Sequence, residues 1–67
     1  MRELRVVSDS TSLRTYELDE MDSVDILELA MKYGRGESGE IVELYVDNKR
    51  VSQCYWDWQY RKYRHWK

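Results

Sequence analysis

The sequence predicts an α+β domain of ββαββ order: a four-stranded, mostly antiparallel sheet with one helix, residues 23–33, packed on a face. Three observations predict it. Short β-branched runs bounded by polar turn residues occur twice before and twice after a single helical segment. That segment repeats apolar residues at helical spacing. A chain of 67 residues makes one small domain, 1–67.

The elements follow in order. Residues 3–7 (ELRVV) read as a first strand and residues 13–18 (LRTYEL) as a second. Between them lie Ser8, Asp9, Ser10, Thr11 and Ser12, whose short side chains bond their own backbone and make a turn. Asp22 or Ser23 can cap the helix by accepting from its free first-turn N–H groups. Asp25 and Glu28 complement the positive end of its dipole. Gly34 is placed to end it in the left-handed conformation. Val24, Leu27 and Met31 form one apolar stripe, which Ile26, Leu29, Ala30 and Tyr33 widen beyond what a surface helix needs. The surplus Ile26, Leu29 and Tyr33 form a candidate second contact surface or homodimer face.

Gly34 to Gly39 (GRGESG) reads as a loop, and residues 40–46 (EIVELYV) as the third strand. A turn around Asp47–Arg50 leads into a fourth strand from Val51 to about Gln59, and residues 61–67 are expected to form a mobile basic, aromatic tail. Register decides which aromatics are buried. A two-residue loop at Asn48-Lys49 pairs Val46 with Val51 and Asp47 with Arg50, and is the favoured arrangement. It places Tyr55 under the helix and exposes Trp56, Trp58 and Tyr60. A three-residue loop shifts the register by one, turning Cys54, Trp56 and Trp58 inward.

Composition narrows the function. Cys54 is the lone cysteine, so no internal disulfide or multi-cysteine zinc site forms, and a reducing, cytoplasmic setting is expected. No apolar run approaches a membrane span, and the first ten residues lack a signal peptide's apolar stretch. The net charge of −2 hides a split. Residues 16–47 hold ten acids against Lys32 and Arg35, a net −8, whereas residues 48–67 carry a net +5. Such a division steers association, although the two segments also neutralise each other if they pack together.

Residues 55–67 (YWDWQYRKYRHWK) hold all three tryptophans and three of the six tyrosines, in a chain without phenylalanine. Trp, Tyr and Arg dominate interface hot spots. A domain this small needs some of these rings in its core, but six in thirteen residues exceed what one strand buries. The excess nominates Trp56, Trp58, Tyr60, Arg61, Tyr63, Arg64 and Trp66 as a partner-binding surface. The expected partner is a protein with an acidic face. The alternative is single-stranded nucleic acid, whose bases stack on rings while cations meet phosphates. The pI near 5.3 and the −8 block weigh against that alternative.

No catalytic, cofactor or metal site emerges. Cys54 and Asp57 point to opposite faces of a straight strand, and His65 has no second imidazole beside it. The glycine loop lacks the Gly-Lys-Ser/Thr of a phosphate cradle, and the acids of 17–25 lack calcium-loop spacing. A non-enzymatic binding domain is expected. In style, a small cysteine-poor chain with surplus aromatics and split charge resembles accessory proteins of phages and mobile elements, including inhibitors of host defence. No motif carries that resemblance.

Overall fold

The computed structural model describes residues 1–9 and 12–66. Strands β1 (Arg2–Val7), β2 (Arg14–Leu18), β3 (Ile41–Val46), β4 (Lys49–Asp57) and β5 (Lys62–His65) flank one helix, α1 (Ile26–Tyr33). The strands form one antiparallel sheet in the order β2-β1-β3-β4-β5. The α+β class is as the sequence predicts, but the sheet has five strands rather than four.

The fifth strand comes from the expected tail. Residues 62–65 fold back on β4, pairing Tyr63 with Trp56 and His65 with Cys54. Asp57 starts the reversal, its carboxylate accepting from the backbone N–H groups of Gln59 at 3.0 Å and Tyr60 at 3.3 Å. Arg61 closes it at φ 53°. Asp bonding backbone two residues ahead is an ordinary turn device. Here it works without the glycine, proline or asparagine that usually advertises one.

The register also departs from the favoured arrangement. Asp47 and Asn48 both take positive φ, 50° and 69°, so the two-residue loop sits one position earlier than expected. Val46 faces Lys49, and Tyr45 faces Arg50. The pairing then slips at Leu44/Tyr45, so that Leu44 faces Ser52 and Val51 is left over as a bulge. Beyond the bulge Val42 opposes Cys54 and Ile41 opposes Tyr55. The slip reverses the facing of β4: Cys54 goes under the helix and Tyr55 to the open face. Asp47, expected in this turn, also has a remote tertiary partner. The N-terminal amine meets its carboxylate at 2.7 Å, and its own N–H donates to Met1 O.

Helix α1 is shorter than residues 23–33. Asp25 is its cap, with Oδ1 accepting from Leu27 N at 2.9 Å. Ser23 Oγ instead accepts from Asp25 N, and Asp22 holds Lys32 and Tyr33 from outside the helix. Leu4, Val6, Val42, Leu44 and Cys54 of the sheet meet Ile26, Leu29 and Ala30 of the helix in a core excluded from water. Full burial of each aliphatic side chain contributes about 1.5–3 kcal/mol. The N-terminal hairpin pairs Leu4 with Tyr16 and Val6 with Arg14, while Ser10 and Thr11 of its expected turn lie outside the described residues.

Candidate functional site

The β4–β5 hairpin gathers the seven residues singled out in the sequence, but splits them into two sets. Trp56 and Tyr63 belong to the framework. Their rings meet edge-on at 4.9 Å between centroids, on the face that carries the helix. The Trp56 indole also lies against Gly36, where a methyl group would come within 3.3 Å of it. Exposed are Trp58 at 75% and Tyr60 at 61%, both in the reversal, together with Arg61, Arg64 and Trp66.

The exposed set is partly ordered. Arg64 reaches the Asp57 carboxylate at 3.5 Å and lies 5.5 Å from the Tyr60 ring centroid. Trp66 N donates to Gln53 O, and its ring meets Tyr55 edge-on at 6.2 Å. Behind them, on the open face of the sheet, Ile41, Tyr55 and Trp66 border a shallow depression of about 680 Å³. On the other face a groove of about 440 Å³ runs between α1 and β5, with Leu27, Met31, Trp56 and Tyr63 as its apolar lining. Arg35, Arg61 and Lys62 stand along this groove, and among the described residues none of their side chains forms an ion pair.

The expected second contact is corrected. Ile26 and Leu29 are 2% and 1% exposed and fill the core. Tyr33 stacks on Tyr16 at 4.8 Å, and its hydroxyl donates to Asp22 Oδ1 at 2.9 Å. The wide apolar girth of the helix is explained by coverage from both ends: β5 packs on one flank and Tyr16 on the other. What the helix leaves outside is Met31, with Val24 just before it.

A buried polar cluster, absent from the sequence reading, fixes the hairpin to the loop after α1. Glu40 is fully buried. Its carboxylate accepts from the Tyr63 hydroxyl, from Arg35 N at 3.1 and 3.2 Å and from Gly36 N at 3.4 Å, with Arg14 Nη2 at 3.7 Å. Burial, then the bond to Glu40, pushes the Tyr63 phenol well above its ordinary pKa. Nothing in the sequence flags Glu40, since an acid just ahead of a strand is unremarkable until its surroundings are known.

Cys54 and His65 face each other across the hairpin, yet Cys54 is sealed in the core. Burial, then the Glu40 and Asp25 carboxylates, pushes its thiol up to about 12. A thiol so protonated is no nucleophile at neutral pH. Among the described residues, no three of His, Cys, Asp and Glu converge to hold a metal ion, and no helix is long and apolar enough to cross a membrane. No family model, curated protein or solved structure matches the chain.

Proposed function

We propose that this chain is a non-catalytic binding module that docks a protein partner through the β4–β5 hairpin. The observation that carries the reading is the reversal itself. Trp58 and Tyr60 stand out at 75% and 61% exposure on a tip whose backbone Asp57 already holds. A preordered tip loses less conformational freedom on binding than a mobile tail would. Arg61 and Lys62 beside it, without an ion pair among the described residues, favour an acidic target surface. Inhibition of a host protein, which the style of the sequence suggests, would act through the same tip.

Single-stranded nucleic acid is the second reading, supported by the same rings and cations. A displayed random-peptide selection against the immobilised protein, beside a titration with a dT oligonucleotide, separates the two. The expected result is enrichment of acidic peptides whose binding Trp58→Ala with Arg61→Ala weakens by about 2 kcal/mol or more. Oligonucleotide binding that falls steeply with salt, with no peptide enriched, would transfer the site to nucleic acid. Full peptide binding by the double variant would remove the hairpin tip from the site.

A further inference from the structure

We infer that β5 is a docking edge for an acidic, extended segment of a partner protein, which adds to the sheet as a sixth strand. The inference rests on the protein-binding reading above and names the mode and chemistry of that binding.

Strand β5 is the last in the sheet order, so one of its sides has no neighbouring strand among the described residues. The bond from Trp66 N to Gln53 O fixes which backbone groups are spare. Along an antiparallel pair, residues alternate between bonding the partner strand and facing away from it. Trp66, Arg64 and Lys62 therefore bond toward β4. Tyr63 and His65 turn their N–H and C=O groups to the open edge. A strand laid there meets two donors and two acceptors at strand spacing, an array that a peptide backbone matches and a sugar–phosphate backbone does not.

Side chains around this edge select the occupant. The groove between α1 and β5 offers apolar seating among Leu27, Met31 and Tyr63, and a second hollow of about 410 Å³ continues it past Arg64 and His65. Arg35, Arg61, Lys62 and Arg64 surround the edge, and among the described residues only the Arg64 side chain of these four forms an ion pair, with Asp57 at 3.5 Å. Cations on an edge strand deter neutral and basic strands from pairing. The same cations attract a strand carrying carboxylates. Alternation suits both demands at once, with acids toward the cations and apolar side chains toward the groove.

The test uses a labelled peptide alternating aspartate or glutamate with valine or leucine, and the intact chain. Anisotropy should show saturable binding, and amide exchange at Tyr63 and His65 should slow by about tenfold or more. A peptide N-methylated at alternate residues keeps its charge but loses one row of donors. Its affinity should fall by about tenfold or more. Equal affinity of the methylated peptide, or unchanged exchange at Tyr63 and His65, overturns strand addition. The tip reading survives that outcome if Trp58→Ala with Arg61→Ala still weakens peptide binding. No peptide binding up to about 1 mM also overturns strand addition, and a dT oligonucleotide that binds instead removes the protein-binding reading with it. Protection of Tyr63 and His65 that grows with protein concentration, without peptide, would assign the edge to a second copy and overturn the proposal.

Discussion

The Tyr63 hydroxyl on β5 donates to the buried carboxylate of Glu40, which immediately precedes β3. This bond ties the last strand to the loop following the helix. It holds because Arg35 N and Gly36 N donate to the same carboxylate while Gly36 N also approaches the Tyr63 oxygen at 3.1 Å. The β4–β5 hairpin is thus anchored by a polar cluster, in a domain whose small size limits anchoring by apolar burial.

Tyr63→Phe keeps the ring against Trp56 but withdraws a donor from Glu40 and an oxygen from Gly36. A buried polar group left short of partners costs about 1–3 kcal/mol. Stability near 0.05–0.15 kcal/mol per residue makes that a large fraction of the whole. Urea unfolding should show the loss as a lower midpoint with little change in slope. Glu40→Gln should cost more, about 3 kcal/mol or above, because it strips Arg14 of its buried counter-charge. Unaltered midpoints in both variants would reduce the cluster to incidental contact.

Gly34 answers to the same cluster. Its backbone is extended, at φ −77° and ψ 165°, so the left-handed conformation expected of a helix-ending glycine is not what requires it. The reason is space. A methyl group there would stand 2.1 Å from the Tyr63 hydroxyl, 2.5 Å from Glu40 Oε1 and 2.6 Å from Ala30 O. Gly34→Ala should therefore destabilise by about 1–3 kcal/mol, although alanine generally favours helices. Thermal unfolding checks it, and a raised Tm would contradict the crowding.

These residues show what the sequence reveals of this fold. The first hairpin, the helix and β3 are readable because each is specified locally, by β-branched runs and apolar period. The bulge at Val51 is not, because no local residue type marks it and the turn at Asp47-Asn48 alone does not set the register beyond Tyr45. Strand β5 was hidden because its reversal has Asp57 without a glycine, proline or asparagine beside it, and places Arg61 at positive φ. The aromatic surplus falls on the β4–β5 hairpin. It could not separate Trp56 and Tyr63 from Trp58 and Tyr60, since β4 ends at Asp57 and the reversal carries the second pair out of the sheet.

Cys54 sets an alkaline limit. Its pKa rises from an ordinary 9.0 to about 12 in the fold, chiefly through burial. A raised folded-state value gives stability that is complete below pH 9 and lost as pH climbs toward 12. Tyr63, shifted in the same direction, adds to the loss. Between about pH 8 and pH 10.5 the thiol alone should remove about 2 kcal/mol, and Cys54→Ala should lack that component. In the native state at pH 8 the thiol should react with a disulfide reagent only as fast as the domain opens, and fully in denaturant. Prompt native labelling would contradict the burial.

Asp22 sets the acid limit. Bonds from Lys32, Asp19 N and Tyr33 hold its carboxyl well below the usual carboxylate range. A lowered folded-state value gives stability that is present above the ordinary carboxyl pKa and disappears as pH falls through the folded one. Asp22→Asn should accordingly lower Tm at neutral pH, and the gap from the parent should narrow only under strongly acidic conditions. A gap that stays constant across the acid limb would show that packing at residue 22, and not its charge, stabilises the fold.

Two of the three tryptophans, Trp56 and Trp58, should part company under substitution. Trp56 is half-buried against Tyr63 and Gly36, so Trp56→Ala removes packing and should destabilise by about 3 kcal/mol or more. Trp58 stands in water, and Trp58→Ala should change stability by no more than about 0.5 kcal/mol. Emission should divide likewise, with iodide quenching Trp58 strongly and Trp56 weakly in variants that keep one indole each. A residue that costs binding but not folding belongs to the surface that meets the partner, and one that costs both belongs to the scaffold beneath. If Trp58→Ala unfolds the domain as readily as Trp56→Ala does, the exposed tip is part of the core and offers no docking surface.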